Sequence, residues 1–202
     1  MISSITWLVM MAVFSGLSMN LILQFGLGLK GIAFDESIGR ERLLAGSGVL
    51  FVTVIFLWLI FSFIRSVLFL GLLEYLMLFP VSSLVFSIFE CMVNRFILKK
   101  NMEQEGAILF GDSLTGSALA GAALFITLNV AGSLYEALVL SLVFSCSTAL
   151  VIVVVDEIRR RAEMEAVPLR LRGGPLALIA MGLLSLVFAS GALMLFRVLG
   201  VQ

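Results

Sequence analysis

The sequence predicts an all-α integral membrane protein with six transmembrane helices, arranged as two inverted three-helix repeats with both termini outside. Three observations carry this. Apolar residues make up 61% of the chain and charged residues only 13%, at a mean hydropathy of +1.19. A water-soluble domain carries about twice that share of charge, so lipid must cover what water does not. The apolar residues also gather into runs of about 20, the length a helix needs to cross the hydrocarbon core. Finally, the basic residues fall almost wholly between alternate runs.

The first run is Ile5–Phe25. No Lys or Arg occurs from Met1 to Leu29, so the basic n-region of a signal peptide is missing and the run reads as a retained helix. Leu43–Ile64 is an uninterrupted second span. The third, Tyr75–Leu98, is the least regular because it holds Glu90, Asn94 and Arg95. It is charge-free from Tyr75 through Phe89, and Arg95 can extend to the interface. The fourth, Leu114–Tyr135, contains the small-xxx-small pairs Gly116/Ala120 and Ser117/Gly121, which let another helix approach closely, either within the chain or from a partner. Ala137–Val155 and Pro175–Phe196 complete the set. Residues 1–202 then form one membrane domain, with repeat halves at about 1–100 and 112–202, a division that follows from spans of this length.

The basic residues orient the spans. Lys30, Arg40, Arg42, Arg95, Lys99, Lys100, Arg159, Arg160, Arg161, Arg170 and Arg172 follow spans one, three and five, while the other side holds only Arg65 and Arg197. Lys and Arg are retained in the cytoplasm during insertion. Both termini are therefore expected on the outer side of a bacterial inner membrane. Net charge is zero, so no global field recruits nucleic acid.

Chemistry-bearing residues are few. There is no histidine, which removes the commonest metal ligand and proton shuttle. Cys91 and Cys146 stand alone in apolar runs and read as packing residues. No catalytic pair or metal motif is visible. Glu90 is a candidate for an ion path, since an intramembrane carboxylate is costly to keep; the alternative is pairing with Arg95 or Lys99 near the cytoplasmic end. Glu136 reads as a solvated turn residue.

Spans one and four would have opposite orientations, as an inverted repeat requires. Each carries an asparagine in an apolar, glycine-containing stretch: Asn20 before Gly26 and Gly28, and Asn129 before Gly132. Inverted repeats often place discontinuous helices near the midplane, where freed backbone groups line a site. Asn20, Gly26, Gly28 and Asn129 are therefore path candidates, with helix–helix hydrogen bonding as the alternative for the asparagines. The basic segment containing Arg159, Arg160, Arg161, Arg170 and Arg172 is a candidate docking site for a partner or anionic lipid, or serves topology alone.

One region resembles a known family. Ile158-Arg159, Val167-Pro168, Arg172-Gly173, Ala177-Leu178-Ile179, Gly182-Leu183 and Ser185-Leu186 are similar to the I-R-E-R…V-P-x-x-x-R-G-x-x-x-A-L-I-x-x-G-L-x-S-L stretch of the RnfA/NqrE family, without a gap. Asn20, Phe25, Leu27 and Gly28 resemble its first helix, and Glu90 falls where its third helix has a glutamate. The match is specific only in the last third of the chain. The related RnfE and NqrD subunits have the opposite orientation, and the basic loops favour RnfA/NqrE.

The resemblance implies a subunit of a redox-driven sodium or proton pump. Such a subunit pairs head to tail with an RnfE/NqrD-like sister in the lipid bilayer. Each of the two gives two cysteines to an intramembrane iron–sulfur centre, which passes electrons between flavin-bearing partners. This chain departs at that chemistry. The family's cysteine positions hold Lys30, after Leu27-Gly28-Leu29, and Val130, after Thr127-Leu128-Asn129. Neither side chain can supply the thiolate that such clusters require. The chain by itself is therefore expected to bind no cofactor, with the iron–sulfur centre and flavins belonging to partners. Lys30 would instead place a positive charge near the cluster position. The resemblance implies a scaffold or path-lining subunit of an electron transport complex; the alternative is a transport or scaffold protein that kept the fold and left redox chemistry.

Overall fold

A computed structural model describes residues 7, 10, 11, 16, 20–25, 40–67, 72–96, 113–164 and 174–198. Among them are six helices: α1 (Leu21–Phe25), α2 (Arg40–Val67), α3 (Leu72–Phe96), α4 (Ser113–Val130), α5 (Leu134–Met164) and α6 (Gly174–Val198). No strand occurs among the described residues. In hydrocarbon no water can bond the backbone, so an open chain spans it only as helices. Four helices contain segments long and apolar enough to cross a membrane: Leu43–Arg65, Tyr75–Val93, Leu134–Ile158 and Pro175–Leu195. The protein's described residues are those of a helical, multi-pass membrane protein.

The fourth span differs from expectation. Its apolar part is the shorter segment Gly116–Val130, and the helix stops at Val130 rather than running to Tyr135. The reason is local. Ser133 caps the next helix, its Oγ accepting from the Glu136 N–H at 3.3 Å, while the Glu136 carboxylate accepts from the Gly132 N–H at 2.8 Å. The Ser-x-x-Glu spacing is that of a capping box, with the carboxylate reaching one residue past the cap to Gly132. It starts α5 at Leu134 and assigns Tyr135 to it. Glu136 thus has a structural task in the turn.

At its other end α5 runs on to Met164, past the expected Val155. Asp156 pairs with Arg160 at 3.2 Å and Glu157 with Arg161 at 2.9 Å, the i,i+4 contacts that support an exposed helix. The third span keeps its helix through Pro80, although proline has no N–H to give the preceding turn. Of the first span, Ile5–Phe25, the described part comprises α1, helical residues Trp7, Met10 and Met11, and Gly16 and Asn20.

The helices α2 and α5 form the centre. In their apolar segments 39% and 44% of residues are buried, against 22% for α3 and 17% for α6. One core cluster joins all six helices through residues such as Leu21, Leu50, Phe86, Leu119, Phe144 and Met181. A second packs Leu57, Trp58 and Phe61 of α2 against Leu78, Leu124, Leu128 and Ala137. The lipid-like apolar surface lies chiefly on α3 and α6, as with Leu76, Phe79, Leu84, Leu183, Leu186 and Met194.

The helix contacts follow a pattern. Exchanging α1 with α4, α2 with α5 and α3 with α6 carries α2–α5 and α1–α4 onto themselves. The same exchange converts α2–α4 into α1–α5, α3–α4 into α1–α6, and α2–α3 into α5–α6, all of which are in contact. The α4–α5 contact is the exception, and its counterpart would involve the first span, most of which lies outside the described residues.

Candidate functional site

The first span is broken inside the bundle. Gly16 lies in a π turn, Asn20 is non-helical, and helix resumes at Leu21. Asn20 is fully buried. Its Oδ1 accepts from the Ile22 and Leu23 N–H groups at 3.2 Å each, and its Nδ2 donates to the Gly16 carbonyl at 3.4 Å. The side chain thus acts as an N-cap, satisfying two amides that a helix start leaves orphaned. A shorter side chain at 16 is required as well. A Cβ on Gly16 would stand 2.8 Å from Val143 Cγ1 on α5, so the break is pressed directly against the central helix.

Asn129 stands elsewhere. It is exposed in the last turn of α4, donating to the Phe125 carbonyl at 2.7 Å and accepting from the Tyr75 hydroxyl at 3.1 Å. The Tyr75 ring also meets Phe125 edge-on, with centroids 5.8 Å apart. Beside it, Arg65 of α2 donates to the Leu128 carbonyl at 3.4 Å, placing a cation at the negative end of α4. The two asparagines therefore bond to different partners and do not form one site. Asn20 holds a helix break, and Asn129 ties α3 to the end of α4.

Glu90 is buried on α3, 7% exposed. Arg95 is exposed five residues on, a spacing that puts it off the face of Glu90. Gly26, Gly28, Lys30, Lys99, Arg170 and Arg172 lie outside the described residues. Arg159 lies within α5. Arg160 and Arg161, on the exposed stem of α5, are each paired with an acidic residue one turn back. Exposed pairs of this kind contribute about 0.3–0.5 kcal/mol. The stem surface is thus mixed in charge, and its arginines offer a weaker field to lipid or partner than a bare basic run.

The small-residue pairs on α4 serve packing within the chain. A Cβ on Gly121 would lie 2.8 Å from Phe79 Cδ1 and 3.0 Å from Ser82 Oγ, both on α3. Gly121 lets the two backbones approach.

Among the described residues no group of three or more cysteine, histidine or acidic side chains is placed to hold a metal ion. Val130 is an exposed apolar side chain at the end of α4, and Cys91 and Cys146 are exposed on α3 and α5. No protein-family model matches this chain, and no curated protein matches it.

Sequence reasoning missed one polar group. Ser141, Ser145 and Thr148 of α5 are all buried, at the i, i+4, i+7 spacing of one helix face. Ser145 Oγ donates to the Ser47 carbonyl of α2, a direct bond between the two central helices. The spacing was readable, but serine and threonine are common enough in apolar helices to pass unremarked.

Proposed function

We propose that this chain is a non-catalytic membrane subunit of a redox-driven, ion-translocating electron transport complex, RnfA-like in kind and without iron–sulfur ligands of its own. The observation that carries the reading is the exchange relation among the helix contacts, which is what two inverted three-helix repeats would produce. The break at buried Asn20, packed among the other helices, supports it, as does the resemblance of residues 158–186. In this role the chain pairs with an RnfE/NqrD-like sister, both termini face outward from a bacterial inner membrane, and Glu90 and the Asn20 break line the ion path. Flavins and any iron–sulfur centre belong to partner subunits. The substitution of valine and lysine at the thiolate positions favours a second reading, a transport or scaffold protein that kept the fold without redox chemistry.

A mild detergent pull-down of the tagged protein, with iron and flavin quantified, separates the two. Recovery of flavin-containing subunits and a cysteine-bearing sister is expected. A lone protein, or an assembly without flavin and iron, would overturn the redox reading.

A further inference from the structure

Buried hydroxyls in this bundle are nearly all accounted for within their own helices. Thr127 donates to the Ala123 carbonyl at 2.7 Å, Ser82 to Phe79 at 2.9 Å and Ser141 to Leu138 at 3.1 Å, while Ser145 reaches across to Ser47. Two hydroxyls depart from this. Thr53 Oγ1 on α2 and Thr148 Oγ1 on α5 are fully buried and have no hydrogen-bond partner among the described residues. For Thr148 the cause is visible: the Phe144 carbonyl one turn back already accepts from Ser147 Oγ at 3.2 Å, as well as from the helix's own amide. A buried polar group left unmatched in a hydrocarbon setting is costly, and native proteins seldom keep one without a guest or a task.

Their placement is not scattered. Thr53 is the eleventh of the 23 residues in its span and Thr148 the fifteenth of 25 in its own, so each lies well inside its own helix. They stand on α2 and α5, the two central helices, which exchange in the contact pattern. With alternating spans these helices run antiparallel. From the Ser145–Ser47 bond, Thr53 lies six residues along α2 and Thr148 three residues along α5, in opposite directions. The two unmatched hydroxyls therefore bracket that bond, about 13 Å apart along the axis at 1.5 Å per residue. Ser141 and Ser145 fill the interval on the same buried face of α5.

We propose that this seam, formed by Thr53, Ser141, Ser145 and Thr148, is a passage for a partly dehydrated monovalent cation and its accompanying water. Hydroxyl oxygens offer lone pairs in place of hydration. The carboxylates of α2 and α5, Glu41, Glu136, Asp156, Glu157 and Glu163, all lie toward the helix ends. Neutral oxygens alone hold a cation weakly, which suits passage rather than storage. The proposal rests on the ion-translocating reading for its use, and names the route within it.

Silver ion, a monovalent cation that binds thiols, tests the seam on this chain in native membranes. In a Cys91→Ser, Cys146→Ser background, Thr53→Cys, Ser145→Cys and Thr148→Cys are compared with Leu142→Cys and Leu150→Cys, whose side chains face outward on α5. After silver treatment, denaturation and maleimide labelling, at least tenfold protection is expected at the seam positions and none at the outward ones. Thr53→Val combined with Thr148→Val should remove the protection of Ser145→Cys while keeping side-chain shape. Seam thiols labelled as fully as the outward ones, or protection unaffected by the two valines, would overturn the proposal. Because the assay needs no partner, absent silver access in a protein that still recovers flavin subunits sinks the seam alone. Silver access without those subunits keeps the seam and removes the redox reading.

Discussion

Gly121 is where a single hydrogen atom in place of a side chain decides how two helices meet. The Phe79 ring and Ser82 hydroxyl of α3 occupy the space a Cβ would need, at 2.8 and 3.0 Å. A close-packed interior transmits such an overlap to its neighbours instead of absorbing it. Gly121→Leu is therefore expected to destabilise the protein by about 1–3 kcal/mol, the usual cost of overpacking. Gly182 on α6 has nothing within 4 Å of its Cβ position, so Gly182→Leu should leave stability within about 0.5 kcal/mol. Thermal unfolding in detergent distinguishes them, and equal shifts for the two variants would remove the close approach of α3 and α4 from the account. Asn20 works by different physics: its value lies in three hydrogen bonds made where no water can replace them.

At the scale of elements, that asparagine makes a helix end stable in the interior. The amides of Ile22 and Leu23 would be orphaned at the start of α1, and Oδ1 accepts from both. Asn20→Ala should cost about 0.5–2 kcal/mol, the range for losing an N-cap, and Asn20→Ser should recover much of it. Hydrogen–deuterium exchange at residues 21–25 is the suitable readout. Faster exchange in the alanine variant with partial recovery in serine is expected, and exchange equal to the unsubstituted protein would mean the cap is dispensable. The start of α5 uses the same logic in the open. Ser133 and Glu136 satisfy the turn at its N-terminus, which shortens α4 and lengthens α5. On the far side, two i,i+4 ion pairs carry α5 beyond its apolar segment.

For the whole molecule, packing and charge are separate constraints. The helices α2 and α5 supply most of the buried interior, while α3 and α6 present much of their surface outward. Which end of this bundle faces the cytoplasm is set by the basic loops, since lysine and arginine resist translocation. Alkaline phosphatase fused after Gln202 should be active, and a fluorescent protein fused there dark, if the C-terminus faces outward. The reverse result would invert the bundle, and with it the side to which the α5 stem projects.

The class of protein was legible because lipid makes a simple demand: about 20 apolar residues per crossing and few charges. Four such helices lie close to where the apolar runs put them. The end of the fourth was not read correctly, although Ser133-Leu134-Tyr135-Glu136 spells a helix start within the apolar run. The asparagines illustrate a deeper limit. In the sequence Asn20 and Asn129 look alike, each polar in an apolar stretch. Only the tertiary structure separates them, burying Asn20 at a helix break and exposing Asn129 beside Tyr75. Composition and periodicity act along one chain segment at a time, so by itself the sequence determined that helices form, roughly where, and which loops resist crossing. Whether a hydroxyl such as Thr53 or Thr148 finds a partner depends on which helices become neighbours, and that was decided by packing between residues nearly a hundred positions apart.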